Sequence, residues 1–332
     1  MIVSNINRLI IIFAFFRVIA NRQGKMVLSI IFLLIGFALL VMGGHLLVDG
    51  AVALSRKFHI PEIVIGLTIV ACGTSAPEIA VSLSSVIGGS PDVGVGNVLG
   101  SNIVNILFII GVCCLIRDLY VKKNTVLYEV PFLGFISVLL MFMGWQYGVI
   151  TRGCALVLCV LFGLFCVYLF KVSKNDKPEF QANIEMSKLK IFMYILLGIV
   201  ALVFGANLTV NSATDIAHLL HVSERIIGLT VVAFGTSLPE LVTCVTAVLK
   251  KRPGIVIGNA VGSNLFNILF VLGVTGLVQP IPFERAFLVD AAFGVVATVM
   301  LWLFIVNDKK LNKSNGLALL SVYVFYIIYL MR

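Results

Sequence analysis

Gly66-Leu-Thr-Ile-Val-Ala-Cys-Gly-Thr-Ser-Ala-Pro-Glu78 decides how this chain is read. It is apolar enough for a membrane, yet Gly73 to Glu78 gathers a glycine, two hydroxyls, a proline and a carboxylate. A proline inside a helix has no N–H for the carbonyl four residues back. Read as a helix interior, Pro77 frees the carbonyl of Gly73. In lipid, a freed carbonyl is tolerated only where protein or a water-filled cavity receives it. Thr74 and Ser75 stand four and three residues before Glu78, a spacing that lets all three share one face. The stretch thus reads as hard oxygens around one negative charge at membrane depth. Such oxygens suit Ca²⁺ and, by the same logic, Na⁺.

The stretch occurs twice. Gly228-Leu-Thr-Val-Val-Ala-Phe-Gly-Thr-Ser-Leu-Pro-Glu240 follows at an offset of 162 residues, and the match runs without a gap from Gly66–Val112 to Gly228–Val274 with about half the positions identical. At the same offset Gly36 pairs with Gly198 and Gly43 with Gly205. Internal repetition of this kind marks a transporter built from two halves with its site where they meet.

The composition agrees. Of 332 residues, 60% are hydrophobic and 12% charged, so a soluble domain is excluded. Apolar runs long enough to span a bilayer recur. They predict an all-α polytopic membrane protein of ten transmembrane helices in two inverted five-helix repeats. The helices are expected near 27–54, 61–87, 92–116, 125–145, 149–171, 190–217, 224–249, 254–278, 284–305 and 315–331. The expected units are an N-terminal extension (1–26) that is not part of the core, a first repeat (27–172), a cytoplasmic linker (173–189) and a second repeat (190–332). Residues 1–25 read as a weak signal-like segment or as sequence ahead of a start at Met26. The net charge of +9 does not signal nucleic acid, because the basic residues sit in short loops between spans. Sixteen Lys and Arg fall on one side of the ten spans and four on the other, or eight if residues 1–25 are kept. The positive-inside rule makes the first side cytoplasmic and both ends of the core outward-facing. The seven cysteines, without CxxC or Cys/His metal spacing, read as small apolar residues in helices.

Glu78 and Glu240 are the strongest site candidates. A charge near the centre of a span costs at least about 2.5–3.5 kcal/mol on insertion scales and is functional by default. The blander alternative, a protonated structural glutamate, fits one copy better than two in identical contexts. Thr74, Ser75, Thr236 and Ser237 have a stronger blander reading, because hydroxyls in spans often bond their own backbone. Repetition beside a proline and a carboxylate argues against it. The following helix of each half carries Asn97, Ser101 and Asn105, matched by Asn259, Ser263 and Asn267. These form a polar stripe at i, i+4, i+8, suited to lining a site, to bonding between helices, or to both. Asn102 and Asn264 point elsewhere and read as packing or capping residues. His45 reads as a packing residue. Asp49, His59, Glu62, Asp215, His218, His221 and Glu224, near span ends, read as solvated or capping.

Gly-Thr-Ser-x-Pro-Glu followed by Gly-Asn-x-x-Gly-Ser-Asn-x-x-Asn, present twice, resembles the alpha-repeats of the cation/Ca²⁺ exchangers, and within them the bacterial Na⁺/Ca²⁺ exchangers. The resemblance implies that Glu78 and Glu240 are the Ca²⁺ carboxylates, with backbone oxygens from Thr74 and Thr236. It implies Na⁺ sites at Ser75, Ser237, Ser101 and Ser263, shared with the two glutamates and the carbonyls of Ala71 and Ala233. Asn105 and Asn267 would line the centre, and the first and sixth helices would slide over the rest. Many members, the K⁺-dependent branch included, carry aspartate where Asn267 stands, which argues against K⁺ co-transport here.

The function expected is antiport of Na⁺ for Ca²⁺ in a bacterial inner membrane, with the two ions as cargo, no cofactor and no catalysis. Two carboxylates balance one Ca²⁺ or two Na⁺. The third Na⁺ that the resemblance implies makes the cycle electrogenic. A H⁺/Ca²⁺ antiporter using the same glutamates is the first alternative and a channel the second. An intramembrane protease is disfavoured, because no serine has a plausible Lys or His base within a span.

Overall fold

The computed structural model describes residues 2–175, 186–222 and 233–331, with side chains described for 24–174, 186–222 and 234–331. The helices are α1 (Ile2–Phe58), α2 (Glu62–Thr74), α3 (Ala76–Ile87), α4 (Pro91–Ile116), α5 (Thr125–Tyr147), α6 (Arg152–Asn175), α7 (Lys188–Leu219), α8 (Leu238–Leu249), α9 (Pro253–Val278), α10 (Arg285–Ile305) and α11 (Lys313–Leu330). Among the described residues, eight helices are long and apolar enough to cross a membrane, and the bent pair α2–α3 makes a ninth. The span expected over 224–249 begins outside the described residues. Its described part is a turn at Ala233–Gly235 and the 12-residue α8. Glu224, Arg225, Arg332 and linker residues 176–185 also lie outside them. The first helix is longer than expected, running unbroken from Ile2 to Phe58 with no break at Met26.

Helix ends follow local rules. Pro91 and Pro253 open α4 and α9, where a missing N–H has no helical partner to lose. Gly148 ends α5 in the left-handed conformation at φ +61°. Two-residue strands, absent from the sequence reading, clip the loops. β1 (Leu119–Tyr120) pairs antiparallel with β4 (Lys310–Leu311), and β2 (Val149–Ile150) with β3 (Ile281–Pro282).

The helices are not equally buried. In α9, 94% of the apolar window is covered by protein and in α4 72%, against 44% or less in the other single-helix spans, so α4 and α9 are the core. The long helices α1 and α7 cross face to face with glycine on both sides. A Cβ at Gly43 would stand 2.8 Å from the Leu202 nitrogen, and one at Gly198 would stand 2.6 Å from the Leu47 nitrogen. Small residues let backbones approach in this way where lipid supplies no hydrophobic drive.

Candidate ion-binding site

The site begins at the joint between α2 and α3, whose axes differ by 47°. Ser75 occupies the joint at φ −81°, ψ 12°. Pro77 is the second residue of α3 and Glu78 the third. This corrects the reading of Pro77 as a helix interior. The chain stops at Thr74 and restarts at Ala76, a position where proline is tolerated. The correction strengthens the case for Glu78, because the first turn of a helix exposes N–H groups and the positive end of its dipole. The second copy repeats the arrangement. Ser237 precedes α8 at φ −86°, ψ 4°, with Pro239 and Glu240 in the first turn.

Thr74 and Ser75 were expected to serve Glu78 from the same helix face. Ser75 instead finds its partner in the other half of the chain, and Thr74 reaches that half as well as a carbonyl of its own. Thr74 Oγ1 donates to Asn259 Oδ1 at 3.0 Å, and Ser75 Oγ donates to Glu240 Oε1 at 2.9 Å. Reciprocally, Thr236 Oγ1 donates to Asn97 Oδ1 at 3.2 Å and stands 3.4 Å from Ser101 Oγ. Ser101 Oγ donates to Glu78 Oε1 at 3.2 Å, and Ser263 Oγ to Glu240 Oε1 at 3.4 Å. The Ala71 carbonyl already accepts from the Ser75 N–H at 3.0 Å and from Thr74 Oγ1 at 3.3 Å. Ala233 opens the turn before Thr236, and its side chain lies outside the described residues.

Glu78 and Glu240 are 0% and 1% exposed. In each, the second carboxylate oxygen, Oε2, is buried without a partner among the described residues, as are Asn105 Oδ1, Asn267 Oδ1 and Ser237 Oγ. An unsatisfied buried polar group costs about 1–3 kcal/mol, more when charged. Four of these five atoms are pure acceptors, the kind of group that a bound cation or an ordered water can complete. Among the described residues no cluster of three or more His, Cys, Asp and Glu suits a metal. The donor set is therefore two carboxylates with neutral amide and hydroxyl oxygens, which suits hard cations rather than Zn²⁺. α4 and α9 each widen to π-helix here, at Val104–Ile109 and Asn267–Leu272. Such bulges gather at functional sites.

The family profile described as "Sodium/calcium exchanger protein" matches residues 28–171 and 190–332. The chain belongs to this family. CaxA of Alkalimonas amylolytica is 37% identical over 313 residues, covering 91% of this chain and 98% of that one. The inner membrane protein YrbG of Escherichia coli is 31% identical over 292 residues, covering 83% and 90%. The sodium-calcium exchanger NCX_Mj, soaked with zero Na⁺ and Ca²⁺, superposes with a TM-score of 0.81 at 30% identity, covering 92% of this chain and 99% of that one. This is a multi-pass membrane protein of the Na⁺/Ca²⁺ exchanger-type antiporters, a family of transporters rather than enzymes.

The sequence reading missed several polar residues of this exchanger fold. Asn102 and Asn264, read as packing or capping residues, join α4 to α9. Each donates its side-chain amide to the other's backbone carbonyl, at 3.3 and 2.9 Å. Glu62, expected to be solvated or capping, is 3% exposed and paired with Arg252 at 2.9 Å. Asp49 pairs with Lys250 at 2.6 Å. Two more carboxylates lie within spans, where Tyr168 donates to Glu129 at 2.8 Å and Tyr326 to Asp290 at 3.0 Å. An acidic residue inside an apolar run was the available signal for both.

Proposed function

We propose that this chain exchanges Na⁺ for Ca²⁺ across the membrane by alternating access, electrogenically and without K⁺. The observation that carries this reading is the unpartnered Oε2 of both Glu78 and Glu240, buried in one network of oxygens crossed between the two halves. The two glutamates hold Ca²⁺ together with Thr74 and Thr236. Na⁺ occupies sites built from the same carboxylates with Ser75, Ser101, Ser237 and Ser263 and the carbonyls of Ala71 and Ala233. Asn105 and Asn267 line the centre, and Asn97 and Asn259 flank it. With two carboxylates and neutral asparagines the site carries −2, enough for one Ca²⁺ or two Na⁺. A third Na⁺ makes each turnover move net charge.

The layout proposed is ten spans in two inverted five-span halves, 27–172 and 190–332, with a cytoplasmic linker 173–189 and residues 1–26 outside the working core. Reciprocal contacts support it. Thr74–Asn259 mirrors Thr236–Asn97 at the 162-residue offset, and β1–β4 mirrors β3–β2 to within one residue of it. The excess of basic residues in one set of loops supports a layout with Lys250–Arg252 in the cytoplasm and both ends of the core outside. Thr74 and Asn259 are 0% exposed, whereas Asn97 and Thr236 are partly exposed. Asn97 lies within two turns of Pro91, at the proposed outer end of α4. That difference supports access from outside in this conformation, with α1 and α7, joined by their glycine-lined contact, sliding as a pair over the rest.

The test is ⁴⁵Ca²⁺ flux in proteoliposomes under an imposed Na⁺ gradient, with K⁺ present or replaced by choline, and under a pH jump without Na⁺. Flux is expected to follow the Na⁺ gradient, to persist without K⁺ and to respond to membrane potential. Flux driven by the pH jump alone would assign the glutamates to H⁺/Ca²⁺ antiport. Flux needing no counter-ion gradient would make the chain a channel, and arrest without K⁺ would overturn the charge count.

A further inference from the structure

We propose that Asn102 and Asn264 are positioning residues that hold the amides of Asn267 and Asn105 with oxygen, not nitrogen, toward the transported cation; this rests on the ion-site reading above. An asparagine ends in an acceptor oxygen and a donor NH₂ of nearly equal shape. A half-turn about the last bond exchanges them. Toward a cation the two faces are opposites, one a ligand and the other a repulsive dipole. A neutral amide can serve in this site only if its orientation is set from behind.

The structure supplies that setting from groups that cannot flip. The backbone carbonyl of Asn264 accepts from Asn102 Nδ2 at 3.3 Å, and the backbone carbonyl of Asn102 accepts from Asn264 Nδ2 at 2.9 Å. A carbonyl can only accept, so each of these side chains must spend its nitrogen there and turn its oxygen the other way. Asn102 Oδ1 then accepts from Asn267 Nδ2 at 3.2 Å, and Asn264 Oδ1 accepts from Asn105 Nδ2 at 3.0 Å. An oxygen waiting at that place demands a nitrogen in return. The last atoms in the two chains are Asn267 Oδ1 and Asn105 Oδ1, both buried and both without a partner among the described residues. Each step follows from the one before, starting at a carbonyl. The amide assignment therefore does not hang on the usual ambiguity of oxygen and nitrogen. Simple glue between helices would not leave two matched oxygens unsatisfied at about 1–3 kcal/mol each.

The wiring is diagonal, and the diagonal can be tested. Purified full-length protein carrying Asn102→Ala is expected to bind ⁴⁵Ca²⁺ some 10- to 100-fold more weakly, the usual effect of losing a group that orients a metal ligand. Asn267→Ala removes the oxygen that Asn102 orients. Adding Asn102→Ala to it is therefore expected to change affinity little, whereas adding Asn102→Ala to Asn105→Ala gives the sum of the two losses. Asn264 behaves conversely, adding nothing to Asn105→Ala and its full loss to Asn267→Ala. Melting temperature and monodispersity in detergent are followed alongside. A residue that merely holds the two helices together would add its loss in both backgrounds, and that result overturns the proposal. Unchanged affinity in Asn102→Ala overturns it as well. If Asn102→Ala fails to fold, the Asn264 diagonal gives the same readout. A parent that binds no Ca²⁺ sinks the ion-site reading itself, an outcome distinct from a parent that binds while the diagonal is missing.

Discussion

The two copies of the Gly-Thr-Ser-x-Pro-Glu motif share their polar residues but not their surroundings. Thr74, in the first copy, is wholly buried against Asn259, whereas Thr236, in the second, is partly exposed beside Asn97. Ser75 donates to the glutamate of the opposite copy, while its counterpart Ser237 has a buried hydroxyl with no partner. Glu240 accepts from two serines, Ser75 and Ser263, and Glu78 accepts from Ser101. Two equivalent sequences in inequivalent environments are what a transporter caught on one side of its cycle should present. On the alternating-access reading proposed above, the asymmetry would belong to the conformation and the symmetry to the sequence. In the opposite conformation the roles of the copies should exchange. A difference between the copies either follows the cycle or is built into the chain, and substitutions separate the two.

The largest effect is expected where the copies agree. Glu78→Gln and Glu240→Gln each leave a −1 site for a +2 ion. Unit charges 4 Å apart interact with about 4 kcal/mol at an effective dielectric of 20. Loss of one carboxylate should therefore weaken Ca²⁺ binding by roughly three orders of magnitude, at about 1.4 kcal/mol per tenfold. Na⁺-driven Ca²⁺ flux should vanish in both variants while the protein still inserts. If one variant retained near-normal flux, the copies would be unequal in chemistry as well as in conformation, and the two-carboxylate site would be wrong.

A middle-sized effect is expected where the copies differ. Ser75→Ala deletes a hydrogen bond to a carboxylate, worth about 1.5–3 kcal/mol. Ser237→Ala deletes a buried hydroxyl with no partner among the described residues, so it should leave ion-free stability unchanged or raise it. Melting in detergent without Na⁺ or Ca²⁺ should separate the two variants in that order. Exchange, which passes through both conformations, should be slowed by both. If Ser237→Ala left turnover untouched, the difference would be permanent, and the inference that the copies exchange roles would fall.

Much of this architecture was legible in the sequence, and the losses have physical causes. The repeat at an offset of 162 residues, the two glutamates and the stripe of Asn97, Ser101 and Asn105 could be read directly, because a polar atom in an apolar run is conspicuous. What could not be read was partnership. Helical spacing suggested that Thr74 and Ser75 serve their own Glu78, because i, i+3 and i, i+4 neighbours share a face only while the helix continues. The break at Ser75 cancels that rule and sends both hydroxyls across to the other half. Pro77 was misread for the same reason, since a proline within a helix and one that opens a helix look alike in an apolar string. Asn102 and Asn264 were set aside because they leave the stripe, although leaving it lets them brace it from behind. The short strands gave no signal, because two residues are too few for an alternating pattern.

The smallest effect is expected at a place where the sequences themselves diverge. Cys244 stands at the position matching Ser82. Asn97 Nδ2 donates to Ser82 Oγ at 3.5 Å, and Asn259 Nδ2 donates to Cys244 Sγ at 3.4 Å. The amide is thus steadied from the same direction in both copies, by a hydroxyl in one and a thiol in the other. Sulfur is the weaker acceptor, but it is larger, and Cys244 sits in a fully buried apolar setting that favours a thiol. In Cys244→Ser, a stronger acceptor for Asn259 is offset by a smaller atom in a packed core. The expected outcome is a melting temperature lowered by a few degrees and Ca²⁺ flux within about twofold of the parent, since about 1 kcal/mol shifts the melting temperature of a large domain by roughly 2–4 °C. The Cys–Ser difference would then be packing, and the motif functionally symmetric. A loss of flux comparable to that of Ser75→Ala would show that Asn259 depends on the thiol, and that the chain builds in part of the asymmetry attributed here to conformation.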